Sequence, residues 1–166
     1  MKIILADIKS GFNNKIFNIS ANSIPDRGTK FIDQNIKLLI SGYSKKDDYI
    51  IKGQIETQIE SVCARCLEKK SITQRIPIKL IIKNKDYIES EYVNTEVIYL
   101  TKNEENINLN LILADLIALS RPIKPLCKSI CKGLCIVCGK NKNEILCNCQ
   151  VPRNQEIWNK LKTINN

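Results

Sequence analysis

The stretch from Cys127 to Cys149 reads CKSICKGLCIVCGKNKNEILCNC and contains six of the chain's eight cysteines. Within it, Cys135-x-x-Cys138-Gly139 has the form of a zinc knuckle, a tight turn that directs two thiolates at one metal ion. The glycine supplies the unusual backbone dihedral angle that such a turn requires. A tetrahedral site then needs a second pair of ligands.

Cys147-x-Cys149 can supply that pair if the eight intervening residues fold back as a short ribbon. A loop of that length costs little entropy to close. Four converging thiolates with no open coordination position are typical of a structural zinc site and not of a catalytic one. The spacing therefore predicts one zinc site formed by Cys135, Cys138, Cys147 and Cys149.

The remaining cysteines are Cys127 and Cys131 and a distant pair, Cys63 and Cys66. Because eight cysteines divide into two sets of four, we expect a second structural zinc ion that joins the distant pair to the C-terminal ribbon. The alternative is that Cys63 and Cys66 are small apolar residues in a turn, as free cysteine often is. Spacing alone also leaves iron–sulfur occupancy open.

Two long patterns of period two flank the distant cysteine pair. Before it, one face carries Ile51, Gly53, Ile55, Thr57, Ile59 and Ser61; after it, one face carries Ile72, Ile76, Ile78, Leu80 and Ile82. Such alternation predicts strands of a sheet with one face in water, here a hairpin with the cysteines near its tip. Further strands are predicted at 16–19, 35–42 and 95–100.

A helix is predicted from Leu109 to Leu119, where apolar residues recur with helical spacing before Arg121-Pro122 ends it. The elements together predict an α+β protein: an antiparallel β-sheet body with one main helix and a C-terminal cysteine-rich zinc ribbon. We expect a β-rich body at residues 1–120, a metal-binding module at 121–150 and a tail at 151–166. A short helix is predicted within the tail, at 155–164.

The formal charge of +9 favours polyanionic partners such as nucleic acid or a membrane surface. Each zinc with four thiolates carries minus two, so two sites would lower the balance to about +5. Six basic residues lie beside the ligands: Lys124, Lys128, Lys132, Lys140, Lys142 and Arg153. With few aromatic residues nearby, they predict contact with the backbone and shape of RNA. The alternative is an ordinary solubilising surface.

No run of residues approaches the roughly 18 apolar residues of a membrane span. The apolar run at the N-terminus is too short for a secretory signal. We therefore expect a cytoplasmic protein with no membrane partner. Because cytosolic thiols stay reduced, this compartment favours metal binding over a disulfide framework, which is the alternative use of eight cysteines.

The usual residues of enzyme chemistry are missing from the sequence. The chain has no histidine, the commonest general base. It also has no glycine-rich phosphate loop. The acidic pairs Asp47-Asp48 and Glu104-Glu105 lie in turn-like sequence, where solvated surface is the expected role. We expect no enzymatic activity and no small-molecule substrate.

Several short motifs follow one another along the chain. They are Cys63-x-Arg65-Cys66-Leu67-Glu68, Asp115-Leu116-Ile117-x-Leu119, Pro122-x-Lys124-Pro125-Leu126-Cys127, Cys131-Lys132-Gly133-Leu134-Cys135-x-x-Cys138-Gly139, Asn141, Asn143 and Cys147-x-Cys149. In this combination they resemble the YceD family of large ribosomal RNA subunit accumulation proteins, over about residues 30–149. The resemblance implies a protein needed for the large-subunit (23S) ribosomal RNA to accumulate, by assisting ribosome assembly or protecting the RNA.

Residues and resemblance together predict a non-enzymatic factor in ribosome biogenesis. Its expected partners are ribosomal RNA, large-subunit assembly intermediates or an assembling ribosomal protein, contacted through the basic face of the ribbon. A rival hypothesis is a zinc-thiolate redox or metal sensor, because zinc thiolates in basic surroundings can be oxidised. A third is a protein-binding module, which an exposed apolar patch on the sheet would favour.

Overall fold

The computed structural model describes residues 1–45, 48–84, 96–100 and 106–150. The chain divides into two compact units. The first unit comprises Met1–Ser61 and Lys70–Ile123, and the second comprises Val62–Lys69 and Lys124–Asn166. The predicted helix at 155–164 and the basic residue Arg153 lie outside the described residues. The predicted boundaries at residues 120 and 150 stay a prediction.

Most of the elements in the described part of the chain are strands. In the described ranges they are β1 (Lys2–Ile4), α1 (Leu5–Ser10), β2 (Phe12–Ser20), a 3-10 turn (Ala21–Ser23), β3 (Asn35–Lys45), β4 (Asp48–Val62), β5 (Lys69–Asn84), β6 (Glu96–Leu100), β7 (Asn106–Asn108) and α2 (Asn110–Leu119). The predicted strands at 16–19 and 35–42 lie within the longer β2 and β3. No helix in these ranges has the length and apolar content needed to cross a membrane.

The main sheet has the strand order β2-β3-β4-β5-β6. The pairs β2–β3 and β3–β4 are antiparallel. Strands β4 and β5 are neighbours joined only by residues 63–68, a connection too short for a parallel crossover, so they form the predicted hairpin. The prediction of an α+β protein with a mostly antiparallel sheet and one main helix is confirmed.

Strand β6 is the exception to the predicted antiparallel arrangement. It pairs with β5 in parallel, with Ile82 opposite Ile98. A five-residue apolar pattern indicates a strand but does not specify its direction. The sequence patterns also do not predict β1, α1 or β7. Strands β1 and β7 form a separate two-stranded sheet, in which Ile3 lies opposite Ile107 and both are buried.

One face of the main sheet is covered by an aliphatic core, as the period-two patterns predict. In β4, Ile51 and Ile55 are completely buried, while the intervening Lys52 is exposed. Helix α2 contributes Leu113 and Ile117 to the same core. The core is therefore built mainly from isoleucine and leucine, whose burial contributes about 1.5–3 kcal/mol for each side chain.

The chain leaves α2 through residues that are anchored within the first unit. The Gln74 side chain donates to the Ser120 carbonyl oxygen at 3.1 Å, and the Ser120 hydroxyl donates back to Gln74 Oε1 at 3.1 Å. Arg121 Nη1 donates to the Gly28 carbonyl oxygen at 2.8 Å. The start of the segment that leads to the clustered cysteines is thus held by three side-chain hydrogen bonds.

Gly53 marks a close approach of two neighbouring backbones. It lies opposite Ile40 on β3, and a Cβ atom added at Gly53 would lie 2.7 Å from Ile40 Cα and closer still to the Leu39 carbonyl oxygen. Backbone atoms cannot move aside as a flexible side chain can. A glycine is therefore required at this position of β4.

We expect Gly53→Ala to lower the free energy of unfolding by about 3 kcal/mol, the upper end of the cost of overpacking. The measurement is urea unfolding followed by circular dichroism. Gln58→Ala, at an exposed position of the same strand, serves as the control and should change the free energy of unfolding by no more than about 0.5 kcal/mol. Equal effects of the two variants would contradict the close-approach explanation.

Candidate metal centres

The turn between β4 and β5 presents two cysteines. The Cys63 N–H donates to the Glu68 carbonyl oxygen at 2.9 Å, and the Leu67 N–H donates to the Cys63 carbonyl oxygen at 3.0 Å. Leu67 adopts the left-handed conformation that closes the turn, with φ of 60°. The Arg65 N–H donates to Cys63 Sγ at 3.4 Å. The turn therefore fixes Cys63 and Cys66 on one side as half of a candidate metal site.

The segment after Pro125 supplies the other half. The Ala64 N–H donates to the Pro125 carbonyl oxygen at 2.8 Å, which holds this segment against the turn. Cys127 and Cys131 follow, and the Cys131 N–H donates to the Lys128 carbonyl oxygen at 3.0 Å. This backbone turn brings the two cysteines to the same side. We call Cys63, Cys66, Cys127 and Cys131 the buried cluster.

The sulfur separations in the buried cluster fit a metal ion at its centre. Cys63 Sγ lies 3.8 Å from Cys131 Sγ, and Cys66 Sγ lies 3.5 Å from Cys127 Sγ. Zinc–sulfur bonds of roughly 2.3 Å in a tetrahedron place the sulfur atoms about 3.8 Å apart. None of the eight cysteines forms a disulfide bond in the structure. The four thiols of the buried cluster could therefore hold a metal ion.

A second group of four comes from the C-terminal end of the described chain. Cys135, Cys138, Cys147 and Cys149 have their sulfur atoms within 4.8 Å of one another. The Gly139 N–H donates to the Cys135 carbonyl oxygen at 2.8 Å, and Gly139 has φ of 71°, as the knuckle motif predicts. In place of a longer ribbon, the segment has turns and one isolated antiparallel bridge, Leu134 with Asn141. We call these four cysteines the exposed cluster.

The two clusters differ in exposure. Cys63, Cys66 and Cys131 are buried and Cys127 is half-buried. In the exposed cluster, Cys138 and Cys149 are exposed, Cys147 is half-buried and only Cys135 is buried. The buried cluster is therefore enclosed by protein, whereas the exposed cluster has one side in solvent.

Backbone N–H groups of the turns favour the thiolate form of one cysteine in each cluster. The N–H of Cys66 donates to the Cys63 sulfur and is the main reason that the pKa of Cys63 is lowered to about 6. The N–H groups of Cys138 and Val137 lower the pKa of Cys135 to about 6 in the same way. A hydrogen bond to the charged form stabilises that form, which is the form that binds metal.

The pKa values of Cys66 and Cys149 are shifted in the opposite direction. At Cys66, the Glu68 N–H favours the thiolate, but burial and the other thiols of the cluster outweigh it and raise the pKa to about 12. At Cys149, the Cys138 thiol and burial raise the pKa to about 12. Sulfur atoms this close cannot all become negative without a compensating cation. The chemistry of both donor sets thus fits a bound metal ion.

Arg65 links the hairpin turn to both halves of the cysteine-rich segment. Its Nη1 atom donates to the Cys131 carbonyl oxygen at 2.8 Å, and its own carbonyl oxygen accepts from the Leu134 N–H at 3.1 Å. Gly133 lies against it with φ of 72°, where an added Cβ atom would lie 3.1 Å from the Arg65 carbonyl oxygen. The motifs contain Arg65 and Gly133, but only the folded structure reveals these contacts.

Asn143 joins the loop of the exposed cluster to a thiol of the buried cluster. Its Nδ2 atom donates to Cys131 Sγ at 3.3 Å, and its Oδ1 atom accepts from the Lys132 N–H at 2.9 Å. Asn141 Oδ1 accepts from the Asn143 N–H at 3.1 Å, which fixes the loop around this side chain. Asn143 is therefore a neighbour of the metal ligands that the cysteine spacing does not predict.

The predicted RNA-contacting residues lie in the second unit. Lys124, Lys128, Lys132 and Lys140 are exposed, Lys142 is half-buried, and Arg153 lies outside the described residues. Together with Arg65 and Lys69, the five lysines are the basic residues of the described part of this unit, whose acidic residues are Glu68 and Glu144. Their role in binding stays a prediction.

The family model described as large ribosomal RNA subunit accumulation protein YceD matches residues 51–165. The match covers more than half of the chain and includes all the cysteines of both clusters. No curated protein and no solved structure matches the chain.

We expect anaerobically purified protein to contain two metal ions per chain, with all eight thiols protected from a thiol reagent until a chelator is added. Cys66→Ser and Cys147→Ser each remove one ligand from a different cluster, so each variant should retain one ion. Metal content is measured by atomic emission and thiols by a chromogenic disulfide reagent. Wild-type protein without metal would contradict both centres.

Gly133→Ala and Gly139→Ala form a matched pair, because both glycines have positive φ but only Gly133 touches the Arg65 carbonyl oxygen. Both substitutions carry the left-handed strain of about 1–2 kcal/mol. We expect Gly133→Ala alone to separate the turn from the segment and to speed chelator removal of metal from the buried cluster. Equal release rates in the two variants would show that this contact does not support the cluster.

Proposed function

We propose, since the chain belongs to the YceD family of large ribosomal RNA subunit accumulation proteins, that it is a zinc-bearing, non-enzymatic factor that binds large-subunit (23S) ribosomal RNA during ribosome assembly. The family match over residues 51–165 is the observation that carries this proposal. It spans both cysteine clusters and the exposed lysines around them. Ribosomal RNA accumulates when it is assembled into subunits or protected from degradation, and direct binding of the protein to the RNA would support either process.

Zinc is the metal that suits these clusters best. Four thiolates in tetrahedral arrangement select zinc or an iron–sulfur centre, and separate mononuclear sites of four sulfurs favour zinc. A closed set of four protein ligands leaves no position for water or substrate, so the ions would stabilise the second unit and not act on RNA chemically. The absence of histidine from the chain also supports a role without acid–base catalysis.

The lysines of the second unit support contact with phosphates. Its described residues include seven basic and two acidic side chains, a formal excess of five positive charges. Two zinc tetrathiolates, each with a net charge of minus two, would reduce that excess to about +1. RNA binding would then depend on the positions of the four exposed lysines and not on the net charge of the unit.

We expect replacement of Lys124, Lys128, Lys132 and Lys140 by glutamine to weaken binding to a large-subunit ribosomal RNA fragment and to reduce its salt dependence. Each lost phosphate contact lowers the slope of log K against log salt by about 0.7–0.9. Fluorescence anisotropy between 50 and 200 mM salt measures both quantities. The matched control replaces four lysines of the first unit, Lys2, Lys9, Lys37 and Lys79, which are equally exposed.

Equal loss of binding in the two lysine variants would indicate nonspecific attraction and contradict the proposed surface. A pull-down of large-subunit precursors, with and without ribonuclease, separates the two possible partners. Loss of ribosomal proteins from the pull-down after ribonuclease supports RNA binding. Retention of one ribosomal protein after ribonuclease would instead identify a protein partner, and absence of any precursor would contradict the function.

A further inference from the structure

Two cysteines of the exposed cluster are open to small molecules in solvent. Cys138 and Cys149 are exposed, whereas Cys63, Cys66 and Cys131 of the buried cluster are only 2–5% exposed. The neighbouring aliphatic side chains give no cover, since Ile136 is 76% and Leu146 is 86% exposed. A solvent oxidant can therefore reach the cysteines of the exposed cluster more readily than those of the buried cluster.

The two exposed cysteines are also close enough to react with each other. All sulfur atoms of the exposed cluster lie within 4.8 Å of one another, so a modest movement brings Cys138 Sγ and Cys149 Sγ to bonding distance once the metal leaves. Cys138 and Cys149 are therefore both exposed to an oxidant and close enough to form a disulfide.

We propose that Cys138 and Cys149 form a thiol modification site at which hydrogen peroxide creates a disulfide and expels the metal ion of the exposed cluster well before the buried cluster loses its own. One sulfur attacks a peroxide oxygen, which gives a sulfenic acid and one water. The second sulfur displaces the hydroxyl group as the second water and forms the S–S bond. Two electrons pass from the sulfurs to peroxide, two protons come from solvent, and the metal ion enters solution unchanged.

Expulsion of the metal would release the loop that carries Lys140 and Lys142. That loop is held at its base by the four ligands and by the Lys142 N–H, which donates to the Gly133 carbonyl oxygen at 2.9 Å. Metal binding and folding are coupled in small thiolate sites, so loss of the ion loosens the loop. This inference rests on the zinc content proposed above and adds an oxidant-dependent state to it.

The test treats anaerobically purified full-length protein with hydrogen peroxide in the presence of a chromogenic zinc chelator. We expect two phases of release, one ion per chain in each, with the first phase at least about ten-fold faster because thiolate exposure controls oxidation. Mass spectrometry of the protein quenched after the first phase should find the Cys138–Cys149 disulfide. A dithiol reductant with added zinc should restore the released ion.

Release of both ions in a single phase would overturn the proposal, as would a first disulfide among the cysteines of the buried cluster. Cys149→Ser provides a second check, since this variant should lack both the Cys138–Cys149 disulfide and the fast phase of metal release, while the ion of the buried cluster is still released slowly. Metal analysis before oxidation distinguishes failure of the metal centres from failure of the oxidation site. Protein without metal would reject the centres themselves, whereas failure to bind RNA would leave this oxidation site standing.

Discussion

Among its described residues the second unit has almost no hydrophobic core, and their structure depends on sulfur atoms for that reason. The apolar contacts among these residues centre on Cys63, Cys66 and Cys131, with Cys127 and Leu134 packed beside them. Most of its aliphatic side chains lie in solvent. The described part of the unit buries too little apolar surface to repay its conformational entropy, and a metal ion bound by four thiolates would supply the missing stabilisation.

Hydrogen bonds organise these sulfur atoms before any metal arrives. The turns direct backbone N–H groups at Cys63 and Cys135, Arg65 ties the hairpin turn to Cys131 and Leu134, and Asn143 donates to Cys131 from the loop of the other cluster. The last contact makes the clusters interdependent. Whatever orders the loop of the exposed cluster also stabilises the thiolate at Cys131, and the reverse follows by thermodynamic reciprocity.

The sequence was most informative where the signal was local or strictly periodic. The alternation along β4 and β5 predicted both the strands and the buried face, and the knuckle spacing predicted which cysteines lie together in the exposed cluster. The pairing of β1 with β7 was not predictable, because each strand has three residues and the partners lie about a hundred residues apart in the chain. The five-residue pattern of β6 likewise does not specify whether the strand pairs in parallel or antiparallel.

The contacts around the ligands were hidden from the sequence for another reason. Arg65 acts through its carbonyl oxygen as well as its guanidinium group, and backbone acceptors leave no trace in residue identity. The role of Gly133 arises from the closeness of a chain segment that is distant in sequence. Such contacts can be recognised only in the folded structure, whereas the cysteines can be recognised as candidate ligands from their residue type and spacing alone.

The separation of the two halves of the buried cluster along the chain has a consequence for its biogenesis. Cys66 and Cys127 are 61 residues apart, so synthesis at about 5–20 residues per second leaves roughly 3–12 s between them. During that interval Cys63 and Cys66 exist as an incomplete site on the nascent chain. The more enclosed cluster is thus the one that begins to form first, and its thiols must remain reduced while the ribosome completes the rest if they are to bind a metal ion.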